Sequence, residues 1–282
     1  MNTLVTCDRI DAHHHLWSYS AEQYSWMTDT MEVLRRDYLP GDLHSILSKS
    51  GIDGSIAVQA QQTIAETEWL LDLSQRHTWI QGVVGWVPLI DEAVDVQLEQ
   101  FATHPKLKAI RHVLQDEPDD FYILREDFHR GVAKLKKYQL RYDILVLEHH
   151  LPQTIQFVDR HPNQIFIVDH MAKPRIREKL LAPWRENLTE LAKRENVYCK
   201  LSGMVTEADW QQWTDADLAP YLDVTLQAFG PSRLMFGSDW PVLNLAASYE
   251  KWLHTVQHFI GKLSTTEQEQ IMGGTAKRAY LL

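Results

Sequence analysis

The run Ile10-Asp11-Ala12-His13-His14-His15-Leu16-Trp17 decides how the rest of the chain is read. Its apolar start and aromatic end suit a buried strand, and side chains alternate across a strand. His13 and His15 then share one face while His14 points to the other. Two imidazoles aimed at one spot can hold a divalent metal or, without one, donate hydrogen bonds to a polarised carbonyl oxygen. An expression tag would be longer and flanked by linker residues, whereas this run ends an apolar stretch.

Working outward from a first strand over 9–13, short β-branched or apolar runs recur at 55–59, 80–86, 107–111, 141–146, 164–169, 197–201 and 233–236. Amphipathic stretches fall between them at 40–50, 65–76, 92–103, 127–138, 151–161, 183–194 and 218–229, and 245–260 and 265–282 read as two closing helices. Strand and helix alternating with short connections imply a parallel sheet, and eight repeats imply an α/β protein closed into a (β/α)8 TIM barrel. An open doubly wound sheet is the alternative. No GxGxxG or GxxxxGK[ST] follows any strand, so nucleotide or other organic cofactor binding finds no support.

At 282 residues, 44% hydrophobic and 23% charged, the chain suffices for one domain over 1–282. Asp and Glu total 38 against 28 Lys and Arg, a formal charge of −10, which disfavours nucleic acid and anionic membrane as partners. The absence of a basic leader and of a long apolar run places the expected location in the cytoplasm. Cys7 and Cys199 stand far apart without CxxC spacing and read as ordinary buried or half-buried thiols. The one long excursion, 18–39, carries Tyr19, Tyr24, Trp26 and Tyr38 and is expected to cap the site. Within it Arg35, Arg36 and Asp37 read as a surface ion-pair cluster.

In a barrel the C-terminal strand ends share one rim, so distant residues meet there. Collected on that basis are His13 and His15, Gln59 and Gln61, Trp86, Arg111 and His112, Tyr142 and Asp143, Glu148, His149 and His150, His170 in Val168-Asp169-His170, the seventh-strand end Lys200-Leu201-Ser202-Gly203, and Asp239 in Phe236-Gly237-Ser238-Asp239-Trp240-Pro241.

These blocks carry a resemblance. HxH after the first strand, His after the sixth and Asp after the eighth resemble the amidohydrolase superfamily. DAHHHLW, LRRDYLP, IRHVLQDE, VDHMAKP, KLSGMVTEADW and LMFGSDWPV together resemble its sugar-lactonase branch, from about Arg9 to about Tyr280. The resemblance implies hydrolysis of a sugar lactone. Asp239 would deprotonate the water and return the proton to the leaving alkoxide, and His170, His13 and His15 would polarise the carbonyl. Binuclear members place a metal-bridging Lys or Glu where Arg111 ends the fourth strand here, and an arginine does not ligate. One zinc on His13, His15 and Asp239 is therefore the expected limit, and turnover is expected without it.

For substrate, Gln59, Arg111, His112, Tyr142 and Asp143 are the expected partners of sugar hydroxyls, and Trp26 and Trp240 the expected stacking platforms. A metal-dependent amidohydrolase or decarboxylase would use the same triad on the same barrel. A dicarboxylate lactone would need several cations in the pocket, and Arg111 is the one strong strand-end arginine. A non-catalytic sugar-binding protein is the third alternative.

Overall fold

β1, Ile10–His14, is buried along its whole length, as a parallel strand covered on both faces must be. The computed structural model describes residues 8–282, so Cys7 lies outside the described residues. Seven more strands follow in order: β2 Gly54–Val58, β3 Ile80–Gly85, β4 Leu107–Val113, β5 Arg141–Leu145, β6 Phe166–Val168, β7 Val197–Leu201 and β8 Leu234–Phe236. Each pairs in parallel with the next, in the order β1 to β8. The ring is completed just past β8, where His14 bridges Trp240, the Asp239 N–H donates to the His13 carbonyl at 2.8 Å and the His15 N–H donates to the Trp240 carbonyl at 2.6 Å. This is the expected (β/α)8 barrel.

The helices are α1 Pro40–Ser50, α2 Ile64–Arg76, α3 Val94–Ala102, α4 Glu126–Leu135, α5 Leu151–Asp159, α6 Trp184–Leu191, the short α7 Met204–Glu207, α8 Asp215–Phe229, α9 Tyr249–Ile260, α10 Thr265–Glu269 and α11 Thr275–Tyr280. Their starts follow ordinary capping chemistry. Asp42 accepts the Leu39 N–H at 2.9 Å ahead of α1, and Thr63 accepts the Glu66 N–H at 3.1 Å ahead of α2. The stretch 265–282 is not one helix. A π turn at Gln270–Gly274 divides it, where Gly273 lies so close to the Asp8 backbone that a Cβ would collide with its carbonyl.

The apolar core has two parts. Outward-facing strand residues such as Ile110, Ile144, Val168 and Phe236 pack beneath the helices. Inward-facing Ile10, Ala12, Ile56, Val58, Ala109, Ile167 and Met235 fill the bottom of the barrel with Ala276, Ala279 and Tyr280 of α11. Three inward positions are charged and buried: Arg111, two residues beyond Ala109 on β4, and Asp143 and Lys200, which pair in register with Ile167 and Met235.

The excursion 18–39 contains a single 3-10 turn, Asp29–Leu34. Trp17 and Tyr38 pair through their backbones, and the Trp17 indole donates to the Arg36 carbonyl at 2.9 Å. The expected Arg–Asp37 cluster is replaced: Arg35 pairs with Asp29 at 2.8 Å, while Asp37 accepts the Tyr19 N–H at 2.7 Å.

Candidate active site

A register shift in β1 aims the histidines. Asp11 pairs with Ser55 and His14 with Ala57, so three steps on β1 match two on β2. The extra residue is a bulge that re-aims the side chains beyond it. Ala12 faces the barrel interior, and His13 turns into the same interior. His14 points outward to Ser55 Oγ at 2.8 Å, and His15 returns inward.

Asp11 staples this turn to the other end of the chain. Its Oδ1 accepts the His13 N–H at 3.1 Å and the Ser238 N–H at 2.8 Å, and its Oδ2 accepts the Tyr249 hydroxyl at 3.1 Å. The Ser238–Asp239 turn is thereby fixed beside β1. Asp239 itself sits at φ 61°, in the left-handed region that costs a non-glycine residue about 1–2 kcal/mol.

Three imidazoles surround the Asp239 carboxylate. His15 Nε2 lies 3.4 Å from Oδ1, His13 Nε2 3.7 Å and His170 Nε2 3.9 Å, and the His13 and His15 rings approach at 3.2 Å between their Nε2 atoms. All four residues are buried. Burial pushes the Asp239 carboxyl up, but facing His170, His15 and His13 outweighs that and holds it below the usual carboxylate range. His170 is pushed down to about 4 by burial, with Asp239 and Asp169 opposing, so it is neutral near pH 7.

His170 sits in an unusual backbone. His170, Met171, Ala172 and Lys173 all have positive φ, between 48° and 57°. The run closes on itself through the Lys173 N–H to the His170 carbonyl at 2.8 Å, and Trp184 donates to the Met171 carbonyl at 2.7 Å. Burial of Met171 and Ala172 and this indole bond offset the strain. The turn presents His170 and Lys173, three residues apart, to one cavity. Gly203, at φ 64°, leaves the space that the His170 ring occupies, and a Cβ there would collide with Nδ1.

That cavity, of about 620 Å³, opens above His15, Arg111, His170 and Asp239. The excursion 18–39 contributes Gln23 and Trp26 to its wall, and Gln61, Gln62 and Gln115 add amides. Glu66 holds the loop before α2 in place by accepting the Ala60 N–H at 3.0 Å and the Gln61 N–H at 2.6 Å.

Of the sequence candidates, Trp26 and Arg111 line the cavity with His15, His170 and Asp239, while His13 faces Asp239 from below. Five expected substrate contacts do not line it, and each has a physical reason. Tyr142 points outward into Phe128, Phe157 and Phe166. His112, the neighbour of inward Arg111, also points outward, stacks on Tyr122 and contacts Glu117 at 2.6 Å. Asp143 faces inward but lies deeper, bound to Lys200 at 2.6 Å and to the Tyr280 hydroxyl at 2.7 Å. Gln59 is consumed by Arg111, whose guanidinium contacts both its side-chain and main-chain oxygens. Trp240 packs edge-on against Tyr38. Glu148 pairs with Arg175 at 3.0 Å, and His149 with Asp120 at 3.5 Å.

Sequence reasoning missed Lys173, and it gave no role to Lys200 or Asp169, which it placed at the seventh and sixth strand ends and which form a buried group under His13. Lys200 Nζ contacts Asp143, Asp169 at 2.9 Å and His13 Nδ1 at 3.1 Å, and Arg111 donates to Asp169 at 2.9 Å. A lysine inside the otherwise apolar Val197–Leu201 was the available signal, since buried lysines are rare unless paired.

The ligand atoms also fit one metal ion. His13, His170 and Asp239 offer atoms all within 4.8 Å of one another, and His15 Nε2 adjoins them. Atoms about 2.0–2.2 Å from a tetrahedral ion lie about 3.3–3.6 Å apart. The observed 3.2–3.9 Å brackets that spacing, and His170 joins the three residues expected from sequence.

The family model described as Amidohydrolase matches residues 10–282. A protein named L-fucono-1,5-lactonase from Burkholderia multivorans is 43% identical, over 97% of this chain and 96% of its own. Its namesake from Burkholderia ambifaria is 35% identical, over 96% of this chain and 95% of its own. A crystal structure of a B. multivorans amidohydrolase with bound zinc superposes with a TM-score of 0.95 at 43% identity, covering 98% of this chain and 99% of that one.

Proposed function

The chain belongs to the amidohydrolase family, and from that premise we propose that it hydrolyses a sugar lactone, L-fucono-1,5-lactone or a close stereoisomer, to the open sugar acid. The observation that carries the reading is a buried carboxylate faced by three imidazoles at the floor of an amide-lined cavity. Amides both donate and accept, which suits the several hydroxyls of an aldonolactone, and Trp26 offers an apolar plate for a ring face. The similarity to two proteins named L-fucono-1,5-lactonase supports the same substrate class.

In this mechanism Asp239 takes a proton from water as the water oxygen attacks the lactone carbonyl carbon. Arg111 and the imidazoles of His13 and His170 face the oxyanion that develops. The tetrahedral intermediate collapses with cleavage of the bond to the ring oxygen. Asp239 returns its proton to that oxygen, leaving a hydroxy acid and a regenerated carboxylate. A zinc ion held by His13, His15, His170 and Asp239 would supply Lewis acidity when bound.

A dicarboxylate lactone is less well served. Arg111 is already engaged by Gln59 and Asp169, and Lys173 faces Glu207 at 3.7 Å, so few cations remain for two carboxylates. The deciding experiment is a pH-indicator hydrolysis screen with L-fucono-, D-arabinono-, L-galactono- and L-rhamnono-lactones. Turnover fastest on L-fuconolactone is expected, and no turnover on any of them overturns the substrate reading.

A further inference from the structure

Two cationic side chains, Arg111 and Lys173, line the cavity, and the proposed mechanism uses only the first. Arg111 is already bound to Gln59 and Asp169. Lys173 is not held in this way. The one carboxylate paired with its ammonium among the described residues is Glu207, and their 3.7 Å separation is beyond hydrogen-bond reach. Arg175, two residues further on, closes to 3.0 Å on Glu148. An ammonium has three donors and no acceptor. Lys173 therefore brings N–H groups to the cavity wall that the side chain paired with it does not accept.

The backbone points the same way. Of the four successive left-handed residues, Met171 and Ala172 are buried and apolar, whereas His170 and Lys173, at the two ends of the run, both line the cavity. A left-handed residue other than glycine is costly, and such strain collects where function requires a particular placement. The Lys173 side chain is only 20% exposed, so its ammonium is confined to the wall rather than free in solvent.

Charge decides which acceptor suits it. Lys173 beside Glu207 and Arg111 beside Asp169 are each neutral as pairs, and Asp116 and Asp239 also line the cavity. A carboxylate entering here meets no uncompensated cation. A hydroxyl oxygen is a neutral acceptor and takes an N–H of Lys173 while Glu207 keeps balancing the charge.

We propose that Lys173 is a substrate-binding residue that donates a hydrogen bond to one ring hydroxyl of the lactone, and so selects a hydroxyl over a hydrogen or a methyl group at that carbon. The proposal rests on the lactonase reading and deepens it. Asp239, Arg111 and the imidazoles address the carbonyl that reacts, whereas Lys173 addresses the polyol that does not. A site built to donate to a hydroxyl rejects the analogue that lacks it, because the donor is then left unpaired.

The test pairs Lys173→Met with L-fuconolactone and with analogues that each lack one ring hydroxyl. Methionine keeps the β-carbon and most of the stem, so the backbone strain is unchanged. Kd is read by calorimetry in the Asp239→Asn background, and KM and kcat with Asp239 in place. For the parent lactone, Lys173→Met should weaken binding about ten- to a hundredfold and raise KM while kcat stays within about threefold. One deoxylactone should suffer a similar loss with Lys173 present, and for that analogue Lys173→Met should change Kd by less than about twofold. Weakening of every analogue alike is what a structural role produces, and it overturns the proposal, as does an unchanged Kd for the parent. If Lys173→Met does not fold, the deoxylactones decide with Lys173 in place: equal affinity for all of them and the parent overturns the proposal. Failure of the lactonase reading shows separately, as no turnover of any lactone by the wild type, while the Kd comparison still decides the role of Lys173.

Discussion

Asp239 and His13 are joined twice: the Asp239 N–H donates to the His13 carbonyl at 2.8 Å, while its carboxylate stands 3.7 Å from the Nε2 of the same residue. The backbone bond that completes the barrel also brings this carboxylate beside the imidazole. Replacing the carboxylate alone leaves that backbone bond intact. Asp239→Asn should therefore still bind the lactone, while kcat falls by about 10³-fold or more. Steady-state hydrolysis and calorimetric binding check the two halves, and retained turnover would remove Asp239 from its role.

Gly203→Ala tests the socket of His170. The added methyl meets the ring at Nδ1, and the φ of 64° disfavours any side chain. We expect kcat to fall about a hundredfold and unfolding free energy to drop by about 1–2 kcal/mol, measured by hydrolysis rate and urea titration. An active variant of unchanged stability would show that the ring has room to shift.

Trp26 lines the cavity yet is 42% exposed, so its loss removes binding surface without opening the core. Trp26→Ala should raise KM about tenfold and leave kcat within about threefold. An equal loss in both constants would argue against a stacking role.

Removal of divalent metal should leave turnover largely intact. Arg111 lines the cavity as a cation of the protein's own, and His170, His15 and His13 hold the Asp239 carboxyl below the usual carboxylate range. Dialysis against chelator followed by rate measurement is the check. Complete loss that zinc alone restores would overturn the expectation.

His14 offers a pH test separate from catalysis. It faces away from the site toward Ser55, and burial first, then His15, pushes it down to about 3 from 6.5. Between those values the unfolded chain binds a proton that the native protein excludes, so this residue's contribution to stability is lost as pH falls below about 6.5. His14→Gln should destabilise at pH 7, and its penalty should shrink by about 2 kcal/mol at pH 4.5. Urea unfolding at both values measures this. A pH-independent penalty would mean that His14 titrates normally.

The strands and the convergence of His13, His15, His170 and Asp239 were legible because strand ends of a parallel barrel share one rim, whatever the details of packing. The substrate contacts were less so. Both faces of a barrel strand are buried, so hydropathy does not say which way Tyr142 or Asp143 points. Alternation alone nevertheless allows only one of Arg111 and His112, and one of Tyr142 and Asp143, to face inward. Lys173 reaches the cavity through four successive left-handed residues without a glycine, which no local propensity announces.

The Asp11 staple has a consequence for how activity first arises. It ties His13, near the start of the chain, to the Ser238–Asp239 turn near its end, and Tyr249 beyond that turn closes it. β1 to β8 all precede Asp239 in the chain, so under the proposed mechanism a growing chain that already holds every strand still has no base to offer water. Under the proposed mechanism, hydrolysis therefore cannot begin before the Ser238–Asp239 turn and Tyr249 have been made.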